Sequence, residues 1–299
     1  MTRKLLITTT AAAAAAALLL SGCAGGGDAT GGGAADEPQK GGTLKVLANG
    51  DVDRIDPQLT AYVPVNNVVR TISRSVLSYV SSNEESERIQ LTGDLAEEVP
   101  TPTDDGLTYE VKLRDGITWD APDGARDIVA ADFERGIKRI CNPHIGAALG
   151  SYFINLIEGM PEFCDGFATV APEAAAMKEY IEGTDISGIE TPDDKTVIFK
   201  LVEPASDFTS MLSLPTANPA AIESLDYLPD SPEYRENFVA SGPYKIAEHT
   251  PDVKLHMVRN ESWKSDSDPL RKAYVDEIEM TMGVEGDAAM QQLQTGSAD

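Results

Sequence analysis

Between residues 43 and 299 the apolar positions change repeatedly from a period of two to one near 3.6. Leu44, Val46 and Ala48 alternate with more polar neighbours and predict a strand at the start of this region. The next stretch, DVDRIDPQLTAYVP, has two prolines and three aspartates and reads as a loop. Val65, Val68, Val69, Ile72, Val76, Leu77 and Val80 then fall on one face of a helix over 65–80, despite many β-branched residues. Leu107, Tyr109, Val111 and Leu113 alternate with Thr108, Glu110, Lys112 and Arg114, the clearest strand pattern in the chain. Asp115-Gly116 supplies a tight turn, after which Ile117 and Trp119 resume the alternation as a hairpin.

Phe133, Ile137 and Ile140 predict a helix that stops before Pro143, and PEAAAMKEYIEG predicts another. Val197, Phe199 and Leu201 follow an aspartate-rich turn as a strand. Tyr244 and Ile246, then Val253, Leu255 and Met257, then VDEIEMTM, make three more, and DAAMQQLQ opens a helix. Strands and helices mix without strict alternation or repeat, which predicts an α/β class with a mixed sheet.

Residues 1–42 follow other rules. Arg3 and Lys4 precede an uncharged apolar run to Leu20, an export-signal pattern too short and alanine-rich for a comfortable span. Leu20-Ser21-Gly22-Cys23 resembles the bacterial lipobox, which implies lipidation of Cys23 and cleavage before it. Residues 24–42, rich in Gly and Ala, read as a flexible tether. With Cys23 used for lipid, Cys141 and Cys164 remain as an even pair in an oxidising location, either disulfide-bonded or two small buried thiols.

Charge narrows the partners. The chain carries −25, and −27 without residues 1–22, which hold two positive charges and no negative ones. Nucleic acid needs clustered Lys and Arg, and anionic headgroups repel such a body. The chemistry of an enzyme is hard to find. His144, His249 and His256 are scattered without zinc-type spacing, and no nucleophile elbow or phosphate loop occurs. Asp104-Asp105 and Asp193-Asp194 sit beside turn formers and read as turns rather than paired catalytic carboxylates. Trp119 continues an apolar face and reads as core. No cofactor or metal is called for.

Several stretches, in order, resemble the bacterial family 5 extracellular solute-binding proteins, the peptide, dipeptide and nickel binders of ABC importers: GGTLKVLANGDVDRIDPQ, LAEEVPTPTDDGLTYEVKLRDGITW, IETPDDKTVIFKLVEPASDF, LSLPTANP, ASGPYKI, LHMVRNESWKSD and VDEIEMTMGVEGDAAMQQLQTGSAD. The resemblance implies a type II, cluster C periplasmic-binding-protein-like architecture with two lobes closing on a ligand by a hinge. On that pattern 1–22 is the signal peptide and 23–42 the tether. Residues 43–75 and 186–276 form lobe I, 76–185 a subdomain inserted into it, and 277–299 the start of a truncated lobe II. The loop after Asp56-Pro57 faces the cleft in the family, which makes Thr60, Ala61, Tyr62 and Val63 candidate ligand-binding residues, with Tyr244 of SGPYKI a further one. The implied protein is a monomer held by lipid on the outer face of the cytoplasmic membrane. It passes a peptide or other small solute to permease subunits driven by cytoplasmic ATPases. A secreted hydrolase and a scaffolding or signalling lipoprotein are the alternative classes. DAPDGARDIVAADF departs from the family's DG-x-P-x-T-A-x-D segment and lacks its capping Thr, leaving Asp127 or another residue to cap the following helix.

Overall fold

A computed structural model describes residues 38–52 and 54–299; the expected signal segment 1–22, Cys23 and the expected tether up to residue 37 lie outside the described residues. The strands are β1 (Thr43–Leu47), β2 (Leu77–Tyr79), β3 (Leu91–Gly93), β4 (Thr108–Lys112), β5 (Thr118–Ala121), β6 (Gly124–Asp127), β7 (Ile189–Asp193), β8 (Thr196–Lys200), β9 (Tyr244–Thr250), β10 (Lys254–Arg259) and β11 (Glu277–Thr281).

A four-stranded mixed sheet has the order β1-β11-β10-β9. β1 runs parallel to β11 from Thr43↔Glu277 to Leu47↔Thr281, and the other pairs are antiparallel. Its inner face buries Leu255, Met257, Ile278 and Met280 against Val65, Val68, Val69 and Ile72 of the helix Val63–Ile72, making a small core. The positions 65, 68, 69 and 72 form one helical stripe, so burial rather than propensity holds this β-branched segment helical. Gly41 and Gly42 lead into β1 with φ of 100° and 79°, values that favour glycine. The Gly41 N–H donates to the Tyr274 carbonyl at 2.8 Å.

A larger core spans residues 76–239. The antiparallel sheet β4-β8-β7 contributes Tyr109, Val111, Val197 and Phe199; the helix Ala130–Arg139 adds Phe133 and Ile137, and the helix Met160–Phe167 adds Phe163 and Phe167. The chain crosses between the cores twice, at 73–75 and 240–243, and the crossings lie side by side. Ser241 and Gly242 donate their N–H groups to the Ile72 carbonyl, each at 3.0 Å, and Arg74 N–H donates to Ser241 Oγ at 2.9 Å. A Cβ on Gly242 would stand 2.4 Å from the Thr71 carbonyl oxygen, which explains the glycine of SGPYKI as a close-approach residue.

Three features differ from the sequence expectation. The helix expected over 65–80 stops at Ile72; Ser73-Arg74-Ser75 is the crossing, and Leu77–Tyr79 pairs as β2 with β3. The expected hairpin between the 107–113 strand and the residues after Asp115-Gly116 does not form. β4 pairs with β8, while Trp119 lies in β5, which pairs with β6. Asp127 does not cap the helix Ala130–Arg139; Asp132, inside its first turn, accepts the Val129 N–H at 3.1 Å and the Trp119 indole N–H at 2.8 Å. Ile189, Val197 and Phe199 belong to the large core, because β7 and β8 pair with β4.

Cys141 and Cys164 form a disulfide with Cα atoms 4.8 Å apart. It ties the segment after the helix Ala130–Arg139 to the helix Met160–Phe167. The bridge closes a loop of 23 residues. Chain-entropy arguments give about 3 kcal/mol for such a loop. Cys141→Ser with Cys164→Ser is expected to lower the free energy of chemical unfolding by about that amount, and reductant should then no longer affect the variant.

Candidate ligand-binding groove

The loop that follows Asp56 is shaped by the buried Asp56 itself. Its backbone carbonyl accepts the N–H groups of Leu59 at 3.1 Å and Thr60 at 3.2 Å, and its carboxylate accepts the Gln58 N–H at 3.2 Å. Leu59 and Thr60 are thereby drawn inward, and Ala61, Tyr62 and Val63 emerge at the surface. Tyr62 then starts the helix Val63–Ile72: its carbonyl accepts Asn66 N–H at 2.9 Å, and Pro64 occupies the first turn, where N–H groups lack helical partners. The result is a rigid platform with two large apolar side chains in solvent, Tyr62 at 51% and Val63 at 68% exposure.

A groove of about 760 Å³ runs past this platform. Thr60, Ala61 and Tyr62 line one side, with Asp51, Arg54 and Asp252 bringing both signs of charge. Thr60 is only 2% exposed, and its Oγ1 has no hydrogen-bond partner among the described residues. A buried hydroxyl without a partner costs free energy, which a polar group that reached it would recover. Asp51 accepts Val52 N–H at 2.7 Å and faces His249 Nε2 at 3.3 Å.

Beneath the loop, Asp56 pairs with the buried Arg139 guanidinium, which also reaches the Gln58 side-chain carbonyl and stacks 5.3 Å from the Tyr234 ring. Burial lowers the Arg139 pKa, but the Asp56 charge more than reverses it and the net shift is upward; burial and Asp56 together push the Tyr234 hydroxyl up. Asp230, close by, is raised by burial above the usual aspartate range. This fixed charge holds the loop from below rather than facing the groove.

Of the residues expected at the site, Thr60, Ala61 and Tyr62 line one groove and Val63 adjoins them. Tyr244 is elsewhere: 4% exposed in the small core, with its hydroxyl donating to the Val275 carbonyl at 2.9 Å. Sequence reasoning missed Asp51, Arg54, Ala148 and Asp252. Asp51 lies in the loop already flagged as aspartate-rich, but Asp252 arrives from the β9–β10 turn and had no local signal. Among the described residues, His256, Glu277 and Glu279 place ligand atoms within 4.8 Å of one another on the outer face of the four-stranded sheet. His256 Nε2 already faces Glu277 at 3.3 Å, a diagonal cross-strand contact.

Residues 90–299, more than half of the chain, match the family described as bacterial extracellular solute-binding proteins, family 5 Middle. The chain belongs to the family 5 extracellular solute-binding proteins. Over 225 residues it is 26% identical to the periplasmic oligopeptide-binding protein OppA of Haemophilus influenzae, covering 75% of this chain and 37% of that protein. It is 26% identical over 199 residues to the dipeptide-binding protein DppE of Bacillus subtilis, covering 65% and 32%. Among solved structures, it is similar to the clavulanic acid biosynthesis oligopeptide binding protein 2, with a TM-score of 0.74, 30% identity, and coverage of 88% of this chain and 44% of that one. The pheromone receptor PrgZ, at 20% identity and a TM-score of 0.68, shares the fold. The chain thus spans about a third of the curated family relatives named here and less than half of the solved one. Its mixed α/β architecture is the type II periplasmic-binding-protein-like fold, and these family relatives carry the names of binding proteins rather than enzymes.

Proposed function

We propose that this chain forms part of an extracellular receptor for short peptides, with the Thr60–Val63 platform as one wall of the ligand cleft. The carrying observation is the groove itself: an exposed Tyr62 and a partnerless Thr60 hydroxyl beside Asp51, Asp252 and Arg54. A peptide offers a polar backbone for the hydroxyl, side chains to stack on the tyrosine, and termini of opposite charge for the carboxylates and guanidinium. The relatives' printed names, oligopeptide- and dipeptide-binding proteins, agree with this chemistry. A second wall, from chain that the longer relatives possess, completes the cleft. Lipid on Cys23 keeps the monomeric receptor beside a permease, where the tether raises its effective concentration.

The test is peptide binding by the lipid-anchored protein isolated from its own cells. A pool of two- to five-residue peptides should raise the unfolding temperature by mass action. Tyr62→Ala should weaken that binding about tenfold, in line with truncation of an aromatic anchor, without altering the ligand-free unfolding temperature, because half of the side chain is already in solvent. No shift with any peptide would refute the reading. Cys23→Ser should release the protein into the medium.

A further inference from the structure

A second concave region lies at the other end of the helix Val63–Ile72. One hollow of about 540 Å³ is lined by Arg70, Arg88, Tyr79, Ser81 and Asn83 among others. An adjoining hollow of about 290 Å³ shares Arg70, Tyr79 and Ser81 and adds Asn67 and Arg271. No carboxylate lines either one among the described residues. That is unexpected in a chain with 49 acidic and only 24 basic residues.

Most of the described arginines sit beside a carboxylate; Arg114 instead donates to the backbone carbonyls of Gly93, Asp94 and Glu97. Arg74, Arg126, Arg135, Arg139, Arg235 and Arg271 each sit within ion-pair distance of a carboxylate. Arg70 and Arg88 have no such partner among the described residues; Arg70 makes one long contact, to Ser78 Oγ at 3.3 Å. Arg271 is on the wall, but its charge is engaged by Asp94 and Asp268, and its Nε donates to the Arg70 carbonyl at 3.0 Å. Partial burial and then the Arg271 charge push the Arg70 pKa down, and the Asp94 charge only partly offsets them. The acidic groups nearest in sequence, Glu84, Glu85 and Glu87, lie on or beside the short helix Glu85–Arg88, and Glu87 already accepts the Ser82 hydroxyl at 2.6 Å.

We propose that this groove is an oxyanion site, in which Arg70 and Arg88 hold a carboxylate or phosphate group and Asn83 and Ser81 donate to it. Guanidinium groups suit this task because their planar donors match two oxygens at once. A single bound oxyanion would lie beside two cations that line the same hollow. The site does not depend on the peptide reading, since it shares no residue with the Thr60–Tyr62 groove. The oxyanion comes from a free solute or from a lipid headgroup, since both carry anionic oxygens; the acidity of the chain opposes approach to an anionic membrane, so the free solute is the favoured source.

The test uses the full chain with Cys23→Ser, so that no covalent anchor holds it to membranes. Isothermal titration with inorganic phosphate and with succinate covers the free solutes, and sedimentation with phosphatidylglycerol or phosphatidylcholine vesicles covers the headgroup. Saturable binding of either free anion, or selective sedimentation with phosphatidylglycerol, is the expected result, and whichever arm responds names the source. Arg88→Gln, on a short helix with no buried residue, should weaken that binding about tenfold, the loss of one charge-assisted pair. Arg70→Gln should do the same, and each variant should unfold at the unmodified temperature. The proposal fails if no arm responds, or if Arg88→Gln binds as tightly as the unmodified protein.

Discussion

Asp94→Asn is expected to cost about 3–5 kcal/mol of folding stability, the range for removing one partner of a buried ion pair. Asp94 is fully buried between two guanidinium groups. Its carboxylate accepts Arg74 Nε at 2.8 Å, Arg271 Nη1 at 2.9 Å and Nη2 at 2.7 Å, and the Ser75 N–H at 3.1 Å. Its backbone carbonyl also accepts Arg74 Nη2 and Arg114 Nε, each at 2.9 Å. The asparagine keeps the shape but leaves Asp268 as the remaining carboxylate for two buried cations. Arg74 belongs to the crossing between the cores, so the loss should appear as one cooperative change in denaturant midpoint, read by circular dichroism.

The same residue gives a pH dependence of known sign. Burial alone would raise the Asp94 pKa; the Arg271 and Arg74 charges and their hydrogen bonds outweigh it and hold the carboxyl below the usual range. A depressed folded-state pKa contributes stability that is complete above the unfolded value of about 3.9. That contribution is lost as pH falls through the lower folded value. Acid titration should therefore unfold the native protein below about pH 4, whereas Asp94→Asn, already lacking the contribution, should show a shallower decline over the same interval.

Much of the fold was legible because the relevant signals are local. Alternation marked β4, β8, β9, β10 and β11, and the stripe Val65–Ile72 marked the first helix. Both Asp-Asp pairs are turn residues: Asp104 and Asp105 adopt φ of 51° and 55°, and Asp193 accepts the Lys195 N–H at 2.8 Å. What was not legible is pairing at long range. No local feature tells β4 to choose β8 instead of β5, and Thr43 meets Glu277 across 234 positions. The overlong helix had a similar cause. Val76, Leu77 and Val80 continue the apolar spacing, but Arg74 is drawn into the Asp94 network and ends the helix, an event that depends on a partner 20 residues away. At the site, the resemblance pointed to the 60–63 loop, while the opposite charges around it came from Arg54 and from the Asp252 turn. Tyr244 illustrates the converse. A tyrosine next to Gly-Pro gives no sequence clue whether its ring faces ligand or core; here the ring packs in the small core and its hydroxyl donates to the Val275 carbonyl.

Arg139→Met is the second large effect, and it connects the core to the groove. The guanidinium is buried at the end of its helix, where a cation also suits the helix C-terminus, and it faces Asp56, whose own backbone carbonyl draws in Thr60. Methionine fills similar volume but leaves a buried carboxylate unpaired, at a cost of about 3–5 kcal/mol. The partnerless Asp56 then has reason to take up a proton or reach water, and either movement releases the turn that positions Thr60 and Tyr62. Adding Asp56→Asn to Arg139→Met removes the bare charge, and the double variant should regain about 1–3 kcal/mol over Arg139→Met alone, a non-additivity typical of residues in contact. The amide oxygen introduced by Asp56→Asn can still accept the Gln58 N–H, so the turn should re-form. A denaturation cycle over the four proteins measures the coupling, and peptide binding by the same four shows whether the groove follows it. If Arg139→Met unfolds with unchanged midpoint, or the double variant falls by the sum of the singles, the buried pair does not hold the loop.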